Sequence, residues 1–488
     1  MPRSFAALCA LLLGAALAPA SAVAEGWLKG GTGEVRVATA AEFQRALVSA
    51  RAGQAIVLAP GTYPRLTIRN IKKGGDQFLI IRSADPARPA QVAGFDIQDS
   101  ERIWLQQLDI GPAPGTPTRA SGAIVVARNG AHLGLVHSEL RGSIDRDWGN
   151  DPDGAWFTLV DNVTFAANDL HDLGRGVVIG GARGARVAQN RFVDIRSDGA
   201  DFSGVQNVEI DGNFFSSFHP VPPDHPDFIQ FWQKNALIAD THTVAIRNNV
   251  MLHGDGDTMS PQAIFIGNDQ PGMLYRDFVV ENNIIYNASA HGISLYDMVG
   301  GRVANNTVVM FPGVGGYPPR INLYRVRGIE VNDNVVPQIS QDAAQVRLDN
   351  NLVTNNGRTD RALDPAHLFL DAGAAARATA ASFTPMPGGL LAPSRGRQFG
   401  AVPLLSADWR DGVAVIGVQQ TGADIELDAR RNDDGGTTTY LWDFGDHTTA
   451  QGAVVSHRYA RPGTYTVQLT VHRGAATTRG VRHVQVTQ

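Results

Sequence analysis

The 488-residue chain has one cysteine, Cys9, and it falls in a stretch that reads as a secretory leader. Arg3 supplies a short basic region, Phe5 to Leu17 an apolar core, and Ala22-Val23-Ala24 a small-residue cleavage site, with Ala20-Ser21-Ala22 an equally acceptable cut. Leu8 before the cysteine does not suit a lipoprotein signal. Removal of residues 1–24 leaves no thiol, which excludes disulfides, thiolate nucleophiles and cysteine–metal sites from the mature chain. Long apolar runs are also lacking. The leader core is shorter than the ~20 residues a spanning helix needs, and nothing later approaches that length. An exported protein, secreted or periplasmic, is expected. Positive charge is not in excess either: 42 Lys and Arg stand against 47 Asp and Glu, a net −5. Nothing there neutralises a phosphate backbone, so nucleic acid is not an expected partner. The glycines, 53 of them, follow no triplet period, which excludes collagen, and 43% hydrophobic content excludes a mainly disordered chain. No HExxH, GxSxG or phosphate-binding glycine loop occurs in a suitable setting.

What the sequence does contain is a repeat. Short β-rich runs lead into an asparagine, an apolar pair and a polar or glycine turn. These asparagines are Asn168, Asn190, Asn213, Asn249, Asn283, Asn306, Asn334 and Asn351, with gaps of 22, 23, 36, 34, 23, 28 and 17 residues. A common spacing broken by insertions is what the coils of a solenoid produce, because insertions loop out without disturbing the stack. One asparagine per coil at the same point lets the amides stack as a ladder. Two-residue Asn-Gly hairpins, which a sandwich would use, are scarce. The expected fold is therefore all-β, a parallel β-solenoid.

Residues 39–51 (TAAEFQRALVSAR) place Phe43, Ala46, Leu47 and Ala50 at helical spacing, a short amphipathic helix suited to covering the open end of the solenoid. The order helix, AIVLAPGTY, LTIRN, FLIIRSADP resembles the opening of secreted right-handed parallel β-helix proteins of the pectate-lyase-like superfamily, and the resemblance runs from about Val35 to Asn356. Beyond it, residues 371–397 are rich in Ala, Pro, Gly and Arg, a terminal cover and linker. The segments TTTYLWDFGDHTTAQG and VSHRYARPGTYTVQLTVHRG resemble a PKD domain, a small immunoglobulin-like sandwich, through Trp442, Asp443, Phe444, Gly445, Asp446, Tyr459, Pro462, Gly463, Tyr465 and Val467. His447 stands where that family usually has glycine. The resulting division is leader 1–24, β-helix 25–385, linker 386–412 and PKD domain 413–488. The PKD resemblance implies attachment to carbohydrate or a cell surface, or a spacer.

In a β-helix, like positions of successive coils form columns on one face. Aligning Arg175-GVVIG, Asp198-GADFS, Asp227-FIQFW, Gln262-AIFIG, His291-GISLY and Arg320-INLY puts apolar residues inward throughout. The column leading these strands then reads Arg, Asp, Asp, Gln, His, Arg, with Asp201, Gln230, Trp232, Ser294, Tyr296, Asn322 and Tyr324 outward beside it. At about 4.8 Å per coil the six coils span roughly 24 Å, room for several sugar rings. Solenoid faces are polar in any case, but this one mixes acids, amides, histidine, arginine and aromatics, which suits sugar faces and hydroxyls. The densest run, His219 to Lys234, holds Asp224, His225 and Asp227 behind prolines. A histidine flanked by two carboxylates is expected to have its cationic form favoured, although a loop salt-bridge cluster would look the same. Asp255-Gly-Asp257, with Asn268 and Asp269 nearby, is an oxygen-rich loop that could hold calcium; it does not match an EF-hand.

The run DHPDFIQFW, then GDGDTMSPQAIFIGND and HGISLY, resembles bacterial β-helix proteins associated with uronate-polysaccharide lyases and epimerases. The expected function is β-elimination on a uronate-containing, alginate-like or related polysaccharide by a monomer. Arg175, Arg320, Gln230, Gln262 or a bound calcium would neutralise the uronate carboxylate. His225 or His291, with Lys234 in reserve, would take the proton, and Tyr296 or Tyr324 would donate one. Asp198, Asp201, Asp224, Asp227, Trp232 and Tyr324 would bind the chain. A C5 epimerase shares the first step. A glycoside hydrolase would use the aspartates as its carboxyl pair. A non-catalytic carbohydrate-binding surface protein fits the PKD domain equally.

Overall fold

The computed structural model describes residues 33–114, 122–233, 240–256, 259–267, 274–314, 316–342, 345–354, 360–392, 399–404, 414, 416–432, 438–473 and 476–486. The leader, Lys234, Asp257, Asn268 and Asp269 lie outside these residues. The described residues fall into two compact units, one containing 33–392 with 399–404, the other the residues from 414 onward.

The first unit opens with helix α1 (Ala40–Ser49), whose buried face is Phe43, Ala46 and Leu47. Thr39 caps it by accepting from the Glu42 amide, and the Glu42 carboxylate reaches back to the Ala38 amide, so two orphan donors are satisfied. Gln44 Nε2 donates to the Thr67 carbonyl at 2.8 Å, tying the helix to the first coils.

Thereafter the chain coils, and every strand pairs in parallel with its counterpart one coil on. The strands of one face are β1 (Asp153–Asp161), β2 (Val177–Gly180), β3 (Ala200–Ser203), β4 (Asp227–Phe231), β5 (Gln262–Ile266), β6 (His291–Tyr296) and β7 (Arg320–Tyr324). Their register carries Ala155, Val177, Ala200, Ile229, Ile264, Ile293 and Ile321 along one inward line. Coil interiors fill with stacked side chains: Phe192 on Phe215 at 4.6 Å and Phe202 on Phe231 at 4.7 Å.

The eight asparagines form one unbroken ladder. Nδ2 of each donates to Oδ1 of the next, from Asn168–Asn190 (3.0 Å) through Asn249–Asn283 (2.9 Å) to Asn334–Asn351 (2.8 Å). A residue with positive φ precedes each rung, and in the later coils it is Asn248, Asn282, Asn305, Asp333 or Asn350. Short polar side chains tolerate that left-handed turn best, which is why the motif reads Asn-Asn or Asp-Asn.

Residues 399–404 lie along the same unit. Ala401 N donates to Thr307 Oγ1 and Val402 N to Asn282 Oδ1 (2.9 and 2.7 Å). The second unit is a two-sheet antiparallel sandwich around Trp442, whose indole donates to the Gly452 carbonyl. His447 takes φ 73°, the glycine-like turn geometry, while the neighbouring Asp446 accepts from Thr448 and meets His457. Among the described residues no helix is long and apolar enough to cross a membrane.

Candidate active site

The outward face of β1–β7 follows from the period of two. Beside the inward line, Trp156, Val178, Asp201, Gln230, Phe265, Ser294 and Asn322 point out. Two residues ahead of the inward line, at the corner where the chain enters each strand, stand Asp153, Arg175, Asp198, Asp227, Gln262 and His291. Arg320 joins them through a one-residue register shift at Gly292. Glycine follows Arg175, Asp198 and His291 because the coils press together there. A Cβ on Gly199 would lie 2.6 Å from the Phe228 carbonyl and 2.8 Å from the Phe215 ring.

One end of this face is acidic. Arg175, Ser197, Asp198, Asp201, Pro223, Asp224, His225, Gln230 and Trp232 line a cleft of about 260 Å³. Asp198, Asp201 and Asp227 are 6%, 1% and 0% exposed. Asp198 accepts from the Asp227 amide at 3.0 Å and from Ser197 Oγ at 3.2 Å. Arg175 approaches Asp198 at 3.5 Å and Asp201 at 3.7 Å, a single guanidinium shared between two carboxyls. Gln230 donates to one oxygen of Asp227 at 2.6 Å. Oδ1 of Asp227 finds no hydrogen-bond partner among the described residues, and the Asp201 carboxyl bonds to that of Asp198. Burial pushes the Asp201 and Asp227 carboxyls well above the ordinary aspartate range, and the neighbouring Asp198 adds to both shifts. Asp198 and Asp153 are raised as well, again by burial, with Arg175 opposing. Carboxyls so placed retain protons that exposed aspartates have lost.

The flanked-histidine expectation fails on geometry. Asp224 pairs with Arg196 at 3.0 Å, Asp227 is turned under the face to Gln230, and His225 stands exposed at the cleft mouth.

The other end is aromatic and basic. His291 Nδ1 lies 2.8 Å from Ser294 Oγ, which also accepts from Asn322 Nδ2 at 2.9 Å. The His291 ring meets the Phe265 ring edge-on at 5.3 Å, and Tyr296 packs against the same Phe265 at 5.5 Å. Tyr296 and Tyr324 stack at 5.4 Å with planes 7° apart. Burial and then the Arg320 charge hold His291 below the ordinary histidine value of 6.5, so it is neutral at physiological pH. Burial, with Tyr324 adding, raises the Tyr296 phenol, which keeps its proton. Arg320 makes no salt bridge among the described residues, and its Nε is buried without a partner, as is Oε1 of Gln262.

Asp255 lies apart from this face, bonded to Ser217. Among the described residues no group of three or more His, Cys, Asp or Glu is placed to hold a metal ion. Sequence reasoning passed over Arg196, Ser197 and Phe265, and took Asp153 only with Asp151 as a weaker oxygen-rich loop, not as part of this column. Asp153 and Phe265 occupy positions of the aligned columns and were within reach of that alignment. Arg196 and Ser197 lie in a turn, where no period points to them.

Residues 153–317 match the family model described as the right handed beta helix region, and residues 413–487 match that of the PKD domain. The protein is a right-handed parallel β-helix with a C-terminal PKD domain. More particularly, it is similar to an alginate lyase from Paenibacillus sp. str. FPU-7, at 15% identity over 66% of this chain and 99% of that one (TM-score 0.37). It is also similar to PfbA, a surface adhesin of Streptococcus pneumoniae, at 13% identity over 64% of this chain and 84% of that one (TM-score 0.33). Among curated proteins it is 40% identical to collagenase ColA of Bacillus cereus over 55 residues, 11% of this chain and 6% of the collagenase's length.

Proposed function

We propose that the protein is an exported polysaccharide lyase that cleaves a uronate-containing chain by β-elimination at the His291–Arg320–Tyr296 end of the face. The observation that carries this reading is a half-buried histidine paired in register with an arginine that makes no salt bridge among the described residues. Arg320 takes the uronate carboxylate and spreads the charge that develops when C5 loses its proton. His291 removes that proton. The tautomer that serves has Nδ1–H donated to Ser294 Oγ, whose other lone pair Asn322 fills, leaving the Nε2 lone pair for the substrate. The C4–O bond breaks as the C4–C5 double bond forms, and the Tyr296 phenol gives its proton to the departing oxygen. Gln262 and the Tyr296–Tyr324 stack suit the neighbouring rings. The test is ultraviolet absorbance of the unsaturated uronate, followed on a panel of uronate polymers with and without chelator. A flat trace throughout would sink the reading.

The carboxyl cluster favours a second reading, a glycoside hydrolase in which a protonated aspartate is the acid and an ionised one the base. New reducing ends without ultraviolet absorbance would establish it instead.

A further inference from the structure

Away from the β1–β7 face, the second parallel sheet of the solenoid carries a pocket that the proposed reaction does not use. Its first three strands, Thr62–Tyr63, Gln91–Val92 and Asp109–Ile110, pair in register, with Tyr63, Val92 and Ile110 buried and Thr62, Gln91 and Asp109 turned outward. Successive coils therefore set a hydroxyl, an amide and a carboxylate side by side at about 4.8 Å intervals. With Pro60, Arg88 and Pro89 these residues line a pocket of about 370 Å³. Its lip is fixed from behind. Ser83 Oγ accepts from the Ala90 amide at 2.9 Å, and Asp85 accepts from the Ala87 amide and from Arg88 Nε at 3.0 and 2.9 Å. Beneath it the buried Arg141 donates to Asp109 Oδ2 at 3.0 Å and to the Pro112 carbonyl at 2.7 Å, which holds the carboxylate in one orientation.

We propose that this pocket is a second, non-catalytic glycan site that holds a sugar ring through its hydroxyls. Two independent observations point to a ligand. The pocket is lined by groups that are idle in the protein: among the described residues the Gln91 amide and the Thr62 hydroxyl make no side-chain hydrogen bond. Asp109, one of those lining residues, has its Oδ1 buried without a partner. An acceptor left unpaired costs free energy that a sugar hydroxyl recovers. Hydroxyls donate to Asp109 and Gln91 and accept from Gln91, Thr62 and the remaining guanidinium hydrogens of Arg88, while the two prolines give apolar walls. Arg88 already pairs with Asp85 and is 77% exposed, so it is a weak anchor for a carboxylate, and the pocket reads hydroxyls rather than charge. Groups fixed on strands and a pinned turn lose little freedom when they bind. The pocket lies on another sheet and seven coils before Arg320, roughly 34 Å along the stack, so it is no subsite of the same groove. It tethers the polymer and raises its local concentration at the face, whatever reaction the face performs.

The experiment is affinity electrophoresis of the full chain through gels holding a neutral polymer (galactomannan, hydroxyethylcellulose) or a uronate polymer (alginate, polygalacturonate). Arg320→Gln is the background, which removes the proposed uronate anchor from the β1–β7 face. That chain is expected to be retained by at least one neutral polymer. Gln91→Ala, which loses no bond within the protein, and Thr62→Phe, which fills the pocket, should each weaken that retention by about fivefold or more. Retention that neither change affects, retention confined to uronate polymers, or no retention at all would overturn the proposal. With Arg320 intact, Gln91→Ala should leave ultraviolet turnover of a short uronate oligosaccharide within about twofold of the native chain, as expected of distant sites. A loss of that turnover as large as the loss of retention would place the pocket in the catalytic groove and overturn it too. If no polymer gives absorbance, the elimination reading falls by itself, and the pocket is decided by retention alone.

Discussion

The acidic and basic ends of the groove are built from the same backbone, parallel strands one coil apart with a polar corner residue leading each strand, and yet their side chains are treated in opposite ways. At the β3–β4 end the carboxyls are sunk below the surface and crowd each other, so their proton affinity rises. At the β6–β7 end a histidine is half-buried beside a cation, so its proton affinity falls. Desolvation acts in both places and always disfavours the charged form; it makes an acid hold its proton and a base release one. A single solenoid face thereby presents proton donors at one end and a proton acceptor at the other, without a metal being required to shift either.

Substitution should separate the two ends sharply. Arg320→Gln and His291→Ala are each expected to lower kcat/KM on the preferred polymer by about 10²–10⁴, the range for losing a charge stabiliser or a general base, whereas Asp198→Asn should cost far less. An equal loss at both ends would merge them into one catalytic centre and favour hydrolysis. The pH profile sharpens the same contrast. The acid limb of kcat/KM should fall below pH 6.5, since His291 must be neutral to act and its pKa is lowered. Ser294→Ala, which touches the substrate nowhere in the proposed scheme, should move that limb and cut turnover by roughly tenfold through loss of the imidazole's orientation. A merely structural serine would leave the limb in place.

Stability should show the reverse ranking. Asp201 and Asp227 have folded-state pKa values raised above the unfolded one, so the folded state holds their protons more tightly. Their contribution to stability is best at low pH and declines as pH rises from the unfolded value of about 3.8 through the folded values. Asp201→Asn and Asp227→Asn are therefore expected to raise the melting temperature by a few degrees near neutral pH and to change little in acid, seen by thermal unfolding across pH. Substituting His291, which is neutral already, should leave it nearly unchanged. A melting temperature insensitive to the aspartates would show that the cluster is not strained in the absence of ligand.

Much of this arrangement was legible in the sequence because a solenoid repeats itself at short range. The asparagine ladder announced itself through one residue type at one point of each coil, and the alternation in FIQF, AIFI and ISLY fixed which side chains share a face. The burial of Asp201 and Asp227 was not legible, since depth depends on the coils above and below. Nor was the Arg196–Asp224 pair, which joins successive coils across 28 residues of chain. The proline-framed run around His225 drew attention by density of chemical groups, while the spare Ser294–His291–Arg320 grouping carries its chemistry in side-chain spacing across two coils.

The smallest effect is expected at the carboxyl terminus of the chain. A Trp442-centred sandwich has its own core and its own backbone pairing, so its removal takes no side chain from the groove. Where the chain is cut matters more than what is removed. Residues 371–397 read from composition as cover and linker, but Tyr286 donates to the Ala372 carbonyl at 2.8 Å, and just beyond them Ala401 and Val402 donate backbone hydrogen bonds to Thr307 and Asn282. Loss of the 401–402 amides would take a donor from Asn282 Oδ1 and from Thr307 Oγ1 beside the asparagine ladder, at about 1–3 kcal/mol for each buried group left unpaired. A chain ending at Leu404 should therefore keep its melting temperature and its turnover of soluble polymer within about twofold, while one ending at Arg397 should melt several degrees lower. Weaker retention of the Leu404-terminated chain on insoluble polysaccharide would assign the sandwich to attachment; unchanged retention would make it a spacer.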